Sequence, residues 1–301
     1  MTDKKMFLIV NPYSGKGKMK IELLPVVEIF SGAGYEVTVY PTKARGDATD
    51  RVKALREKEY DIIVVCGGDG TLNEVISGLM LSELDCKIGY IPAGTLNEWS
   101  SGLNISRDIK SAAKDVPRGK EITLDIGKFG EKYFTYTASF GAFTSASYTA
   151  PQNLKNALGH AAYILEGIKS LGNIKPIHMT LTCDGIPIEG DFLFGAVTNA
   201  LSVGGVVKFD SNTVDLNDGY FEVFLIRNPS NIFKIQPLID GILKKELTKE
   251  GMEYIHAKEI IVETDEKIAW TLDGEFAESE GKTVIENIHN AVNLIVPDFT
   301  N

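Results

Sequence analysis

Residues 61–81, DIIVVCGGDGTLNEVISGLML, contain the stretch that decides the fold. The apolar run at 62–66 is typical of a strand buried on both faces, and residues 71–81 have the apolar spacing of a helix. The glycines between them let the backbone turn sharply and approach a ligand, and the N–H groups that start a helix can bind an anion. Thr71 and Glu74 also match a capping box, so the structural alternative is a tight turn with a good cap.

Strands and helices alternate on both sides of this stretch. Residues 6–10, 35–40 and 87–91 predict further strands, with helical patterns between them. This alternation predicts βαβ units and a mainly parallel sheet. Ligands bind such sheets at the carboxyl edge of the strands, where the connecting loops begin.

Two more polar loops that contain glycine are expected at the same edge. Residues 11–17, NPYSGKG, follow the first strand, and residues 92–98, PAGTLNE, follow the fourth. The loop at 11–17 has neither the spacing of a Walker P-loop nor that of a GxGxxG dinucleotide motif. Three such loops at one edge favour a phosphate-binding site over three unrelated turns.

The pattern changes near residue 121, where strand candidates separated by turn signals replace the βαβ alternation. Helical patterns over 153–171 and 230–247 interrupt these strands. The sequence therefore predicts an α/β protein with an N-terminal parallel-sheet domain, residues 1–121, and a mostly antiparallel β domain, residues 122–291. Residues 292–301 include a strand-like run that is a candidate to complete the first domain.

Composition and charge exclude several classes of function. The 301 residues carry a net charge of −10, which argues against general nucleic-acid binding and against strong global attraction to an anionic membrane. The chain has no apolar run of about 20 residues and no signal-peptide pattern. Its three cysteines are scattered and predict neither a disulfide framework nor a structural zinc site. We therefore expect a cytoplasmic protein.

Two turns in the second half of the chain carry carboxylates. Residues 271–275, TLDGE, place Asp-Gly after a strand, which is usually a hairpin turn. Residues 215–220, DLNDGY, place oxygen ligands at a close spacing that suits a hard cation such as magnesium or calcium. They do not match the EF-hand loop, and a simple turn is the structural alternative.

Taken together, these residues resemble the soluble bacterial diacylglycerol kinase family of lipid kinases, essentially from end to end. The GGDGT element is shared with NAD kinases and phosphofructokinases, whereas NPxSG and LDGE are more specific to the lipid-kinase branch. The loop at 92–98 and the residues that follow it depart from the family pattern at Glu98, Trp99 and Ser101. The matching motifs are NPYSGKGK at 11–18, a Thr42…GDA segment ending at 48, GGDGTLNEV at 67–75, PAGTLNE at 92–98, LDIG at 124–127, DGYFEV at 218–223 and LDGE at 272–275.

The resemblance implies an α/β nucleotide-binding domain, a C-terminal β-sandwich domain for the lipid substrate, and a nucleotide in the cleft between them. Asp273 would take the proton from the lipid hydroxyl, with Glu275 close by. Asp69 and Asp125 would join a network of water and magnesium around the phosphates. The residues that would bind ATP are Asn11, Ser14, Gly15, Thr42, Gly67, Gly68, Asp69, Gly70, Thr71, Leu72, Asn73, Thr95 and Glu98.

The resemblance also implies a second, structural Mg²⁺, held by the Asp218 side chain and the backbone carbonyls of Asp215 and Tyr220. A homodimer is common in similar proteins. The expected function is ATP-dependent phosphorylation of a lipid hydroxyl, with diacylglycerol converted to phosphatidic acid. The alternatives are a kinase for a soluble hydroxyl compound, similar to NAD kinase, and a non-catalytic module that binds nucleotide or lipid.

A lipid substrate requires reversible contact with a membrane surface, here the inner face. Residues 153–175 combine apolar side chains with lysines and are the predicted docking segment, to which Lys16 and Lys18 could contribute. The structural alternative is an amphipathic helix packed on its own domain.

Overall fold

The computed structural model describes residues 4–17, 19–94, 97–141, 175–200, 202–203, 207–208, 214–229, 235–244, 246–247 and 250–298. The chain forms two compact units, one of Met1–Asp125 with Asn290–Asn301 and the other of Ile126–His289. It therefore passes from the first unit to the second and back again.

The elements follow the chain in this order. The strands are β1 (Lys4–Val10), β2 (Tyr35–Pro41), β3 (Ile62–Gly67), β4 (Lys87–Pro92), β5 (Lys120–Phe129), β6 (Lys132–Phe134), β7 (Thr137–Gly141), β8 (Ile177–Cys183), β9 (Ile186–Thr198), β10 (Ser202–Val203), β11 (Val207–Lys208), β12 (Phe221–Arg227), β13 (Met252–Ala257), β14 (Glu259–Leu272) and β15 (Glu275–Val296). The α-helices are α1 (Met19–Gly32), α2 (Asp47–Lys53), α3 (Asp69–Ser82), α4 (Glu98–Gly102), α5 (Ile109–Asp115) and α6 (Ile235–Lys244).

The sheet of the first unit has β3 at its centre. β1 pairs in parallel with β2 and β3, and β3 pairs in parallel with β4. The end of β15 pairs in parallel with β4 on the other side, so the C-terminal run returns to this unit. All six residues of β3 are buried, as a strand covered on both faces requires.

The helices of the first unit cover this sheet. Pro25 lies inside α1, whose buried residues include Val26 and Phe30. α2 packs closely on α3 because position 78 is glycine: a Cβ there would lie 2.7 Å from the Cβ of Val52. A small residue at the contact therefore sets how near the two helices come.

The capping box predicted at Thr71 and Glu74 is wrong. α3 begins at Asp69, so Thr71 already lies inside the first turn, and its hydroxyl accepts a hydrogen bond from Asn11. The carboxylate of Glu74 accepts from the N–H groups of Gly46 (2.8 Å) and Ala48 (3.2 Å) at the start of α2. The glycine turn lets the helix begin earlier than the cap pattern requires, which frees Glu74 for a neighbouring helix.

The second unit is antiparallel. β9 pairs with β7, β8 and β12, while β14 pairs with β7, β8 and β15. Its core is built around Trp270, which meets Phe129 and Phe140 edge-on at centroid distances of 5.0 and 4.9 Å. The indole N–H of Trp270 donates to the Ser279 hydroxyl at 2.8 Å. The prediction of a C-terminal, mostly antiparallel domain after an N-terminal domain is confirmed.

Two of the predicted helical segments have different outcomes. The segment over 230–247 contains α6, which spans Ile235–Lys244. The segment over 153–171, with most of the predicted docking segment, lies outside the described residues. In the part of the chain that the structure describes, no helix is long and apolar enough to cross a membrane.

Replacing Glu74 with alanine should lower the free energy of unfolding by about 2 kcal/mol, because two N–H groups at the start of α2 lose their side-chain acceptor. Alanine favours helix, so the loss cannot come from the propensity of α3 itself. Urea unfolding of the variant measures it. Glu28→Ala, at an exposed position of α1, is the control, and equal stability of the two variants would contradict the role given to Glu74.

Candidate active site

The loops predicted to bind phosphate start at the same edge of the first sheet. Asn11 follows β1 and donates its backbone N–H to the carbonyl of Cys66 at 2.9 Å. Thr42 follows β2 and donates to Val10 at 2.8 Å, and Ala93 follows β4 and donates to Gly67 at 2.7 Å. These hydrogen bonds continue the pairing of the strands beyond their ends. The edge is therefore an ordered platform of backbone.

Two glycine loops touch backbone to backbone on this platform. A Cβ on Gly94 would lie 2.6 Å from the Cα of Gly68, closer than real Cβ atoms approach other atoms. Gly15, which has a φ of +58°, is similarly close to the carbonyl oxygen of Ala93. Glycine is needed at these positions for the loops to pack at all. It also leaves the backbone open to a ligand such as a phosphate group.

The start of α3 lies between these loops. Gly68 caps this helix and has no side chain to accept hydrogen bonds from the first N–H groups. A phosphate would supply those acceptors and would also meet the positive end of the helix dipole. Of the predicted ATP-binding residues here, Leu72 is buried in the core, and the side-chain oxygen of Asn73 accepts from Ser77 at 3.3 Å.

The first loop is held against α3 by the side chain of Asn11. Its amide N–H donates to the hydroxyl of Thr71 at 3.1 Å, and its side-chain oxygen accepts from the N–H of Tyr13 at 3.0 Å. The N–H of Ser14 donates to the Asn11 carbonyl at 3.2 Å, and Ser14 and Gly15 then enter a short 3₁₀ turn, Ser14–Gly17. The structure thus brings Asn11, Ser14, Gly15 and Thr71 together.

The second loop is shaped by Asn97, which the sequence analysis did not select. This residue is buried and has a φ of +50°, a conformation in which asparagine is enriched. Its side-chain oxygen accepts from Gly94 N–H at 2.9 Å and from the Tyr90 hydroxyl at 3.3 Å, and its amide donates to Gly94 at 3.0 Å. Thr95 lies outside the described residues, and the structure does not describe the side chain of Glu98.

Two aspartates of the first unit were predicted to act on the phosphates. Asp69 lies close enough to the Tyr90 hydroxyl to affect its titration. Burial, and secondarily the charge of Asp69, raise the pKa of this hydroxyl, so it stays neutral. Asp125 is fully buried, and its carboxylate accepts from the N–H of Asn290 at 2.8 Å, where the chain returns to this unit. Asp125 therefore links β5 to β15 by this hydrogen bond, in addition to the role predicted for it at the phosphates.

In the second unit, Asp273 and Gly274 form the hairpin turn between β14 and β15. Their φ values are +51° and +87°, and Leu272 lies opposite Glu275, as in the two-residue turns that favour Asp-Gly. The exposed Glu275 begins β15 next to this turn. Asp273, by contrast, is only 7% exposed, which is unusual for the carboxylate of a hairpin turn.

The buried carboxylate of Asp273 holds the segment between β6 and β7. One oxygen accepts from the N–H and the hydroxyl of Thr135, at 2.5 and 2.7 Å, and the other from the N–H groups of Tyr136 and Thr137, both at 3.0 Å. Burial raises the pKa of Asp273, and these four donors oppose that rise by stabilising the charged form. Sequence reasoning selected Asp273 but not the segment that it binds.

The 215–220 turn is built from its own carboxylates. Asp215 accepts from the N–H of Asn217 at 3.1 Å, and Asp218 accepts from the N–H of Tyr220 at 2.8 Å. The carbonyl of Tyr220 also accepts from the side chain of Asn287 at 3.1 Å. The side chains of Asp215 and Asp218 are exposed. The predicted ligands Asp215, Asp218 and Tyr220 thus belong to one turn at the surface of the second unit.

The donor atoms of this turn fit a hard cation. The side-chain oxygens of Asn217 and Asn287 are buried and have no hydrogen-bond partner, and such a surplus of oxygen acceptors suits Mg²⁺ or Ca²⁺. Among the described residues no group of three or more His, Cys, Asp or Glu side chains could hold a metal, so backbone and amide oxygens would have to complete the site. Burial, with smaller contributions from Asp218 and Asp215, raises the pKa of nearby Glu222 to about 8.

Comparison with known proteins assigns both units. The diacylglycerol kinase catalytic domain matches residues 5–129, and the YegS C-terminal NAD kinase beta sandwich-like domain matches residues 138–296. A diacylglycerol kinase of Bacillus subtilis strain 168 is 33% identical over 98% of this chain and 97% of its own. A diacylglycerol kinase of Staphylococcus aureus strain MRSA252 is 33% identical over 91% of this chain and 86% of its own.

Solved structures agree with these matches. One from Bacillus anthracis strain Sterne superposes with a TM-score of 0.83 at 27% identity and covers 98% of each chain. A diacylglycerol kinase from the same strain superposes with a TM-score of 0.76 at 24% identity, again over 98% of each chain. The predicted resemblance is confirmed: the chain belongs to the diacylglycerol kinase family.

Proposed function

We propose that the chain is an ATP-dependent kinase that transfers the γ-phosphoryl group of ATP to the free hydroxyl of diacylglycerol and so produces phosphatidic acid. The observation that carries the nucleotide half is the close approach of Gly68 to Gly94 at the start of α3, a helix whose first turn receives no hydrogen bond from a cap side chain. The lipid half is supported by the relatives, which are named diacylglycerol kinases over nearly the whole of this chain.

In this proposal the first unit binds and orients ATP. Backbone N–H groups from Gly68 to Thr71 hold the phosphates, and Asn11, Ser14, Gly15 and Thr42 keep the surrounding loops in place. Mg²⁺ bound near Asp69 and Asp125 would neutralise charge on the phosphates. Phosphoryl transfer needs positioning and charge neutralisation more than covalent chemistry, so an ordered backbone platform is a suitable catalyst.

The second unit supplies the proton acceptor. Asp273 accepts the proton from the lipid hydroxyl when one of its four hydrogen bonds opens, and the exposed Glu275 assists from the next strand. Asp218, with the backbone carbonyls of Asp215 and Tyr220, would hold a second Mg²⁺, which would neutralise charge on this turn and stabilise the second unit. The buried Asp273 differs from an exposed base because the same carboxylate also holds the 135–137 segment.

Contact with the membrane is peripheral and reversible in this proposal, at the cytoplasmic face, and the active form is a homodimer. Of the lysines in the predicted docking segment, Lys175 is described, and it forms an ion pair of 2.7 Å with Glu266. Such an exposed pair contributes little to stability, so Lys175 can exchange Glu266 for an anionic lipid.

A panel of acceptors tests the function. Radiolabelled ATP should transfer label to diacylglycerol, and the product should extract into the organic phase. Label on NAD or a sugar phosphate in the aqueous phase would support the soluble-substrate alternative. Absence of transfer to every acceptor, with nucleotide binding retained, would support a non-catalytic module.

Asp273→Asn should lower turnover by about 10²-fold or more, the scale of general-base loss, with little change in the KM for ATP. It should also lower the melting temperature, because the side-chain amide would place an N–H₂ group against backbone N–H donors. Steady-state kinetics and thermal unfolding measure the two effects. Thr135→Val, which removes one donor and keeps the carboxylate, is the control. Near-normal turnover of Asp273→Asn would remove this residue from the mechanism.

Gly94→Ala should weaken ATP binding about tenfold or more, because the new Cβ would push against the Gly68 backbone at the start of α3. Calorimetric titration with a non-hydrolysable ATP analogue measures the affinity. Gly102→Ala is a matched control, since a Cβ there meets nothing within 4 Å. Unchanged affinity in a folded Gly94→Ala protein would show that this contact serves the fold alone.

A further inference from the structure

The second unit has polar side chains on the face of its sheet opposite the core. Side chains alternate between the faces of a strand, and the core face carries Ala138, Val197, Val223 and Trp270. Their neighbours point the other way and are all at most 7% exposed. This buried polar face consists of Thr137, Ser139, Thr198, Glu222 and Thr271.

Three atoms on the buried polar face lack a hydrogen-bond partner. They are the hydroxyl oxygens of Thr137 and Thr271 and one carboxyl oxygen of Glu222. Thr198 differs, because its hydroxyl donates to the carbonyl of Tyr136 at 2.5 Å. Buried polar groups in folded proteins nearly always have a partner in the protein, in ordered water or in a ligand. These unpartnered groups therefore indicate where another molecule can bind.

Both threonines are close neighbours of Asp273, one along the chain and the other across the pair of strands. Thr271 is two residues before Asp273 on β14. Thr137 is bonded to Asp273 directly, its N–H donating to the carboxylate at 3.0 Å and its carbonyl accepting from the Asp273 N–H at 2.9 Å. A ligand bound to these hydroxyls would lie beside the carboxylate proposed as proton acceptor.

The surroundings favour a neutral ligand with oxygen acceptors. Among the described residues that form this face, the buried neighbours are Ala196 and Phe224 and none is Lys or Arg, so an anion would have no counter-charge. A threonine hydroxyl can donate one hydrogen bond, and the carbonyl oxygen of an ester accepts one. A diacylglycerol carries two such esters next to its free hydroxyl.

We propose that the hydroxyls of Thr137 and Thr271 bind the ester carbonyl oxygens of the lipid substrate and so make the enzyme prefer diesters of glycerol. This assignment rests on the proposed function and adds to it the part of the substrate that is recognised. The two hydroxyls are substrate-binding groups and transfer no proton. Thr137 and Thr271 are far apart in the sequence, but β7 and β14 are paired, so the two residues lie on neighbouring strands.

Two detergent-dispersed substrates of equal chain length test the proposal: diacylglycerol and the corresponding dialkylglycerol, whose ether oxygens replace the esters. Wild-type protein should prefer the diester at least about tenfold in kcat/KM, the scale of one hydrogen bond. Thr137→Val and Thr271→Val should each raise the KM for the diester by about tenfold and leave the KM for ATP unchanged. The double variant should lose the preference.

Matched variants separate binding from folding. Thr137→Ser and Thr271→Ser keep the hydroxyls and should keep the preference. Thr180→Val, on β8 away from this face, should change neither KM. The valine variants should melt at or above the wild-type temperature, because each removes a buried hydroxyl without a partner.

The proposal is overturned if the valine variants retain the diester preference, which would mean that water satisfies the hydroxyls. It is also overturned if wild-type protein treats the two lipids alike, a result that needs no variant to fold. Wild-type protein that phosphorylates neither lipid would overturn the proposed function together with this assignment. Activity on diacylglycerol without ester preference would overturn this assignment alone.

Discussion

The close approach of two backbones, at Gly68 and Gly94, is the constraint on which the first unit depends. β3 and β4 are parallel neighbours, so the loops that follow them leave the sheet side by side with no room for a Cβ between them. This contact lets α3 start directly at the sheet edge, with its first N–H groups unprotected by any cap side chain. The geometry that packs the loops is thus the geometry that we propose binds phosphate.

Asp273 imposes a comparable constraint on the second unit. A turn residue would normally expose its carboxylate, but here the carboxylate is buried and satisfied by donors from three consecutive residues, Thr135 to Thr137. Burial alone disfavours the charged form of a carboxylate and raises the pKa of Asp273, and these donors oppose that rise by replacing water. The catalytic and the architectural functions proposed for Asp273 therefore share the same atoms, and a variant that affects one affects the other.

The candidate site was predicted unevenly from the sequence. Glycine loops after buried strands were recognisable because strand periodicity and glycine spacing are local properties. The capping box at Thr71 and Glu74 was wrong because a local pattern cannot show that the helix starts three residues earlier or that both side chains bond to distant segments. Asn97 was not selected because its role depends on a φ of +50° and on hydrogen bonds to Gly94 and Tyr90, which the sequence does not show.

By itself, the sequence determined the alternation of strands and helices around residues 61–81 and the motifs of the diacylglycerol kinase family, because each of these is written in neighbouring residues. The tertiary structure alone decided the partners of the polar atoms. Asp273 bonds to residues up to 138 positions away, and Asp125 to a residue 165 positions away. Which buried hydroxyls are satisfied, and which still need a partner, depends on strand pairing across such separations, and no local pattern records it.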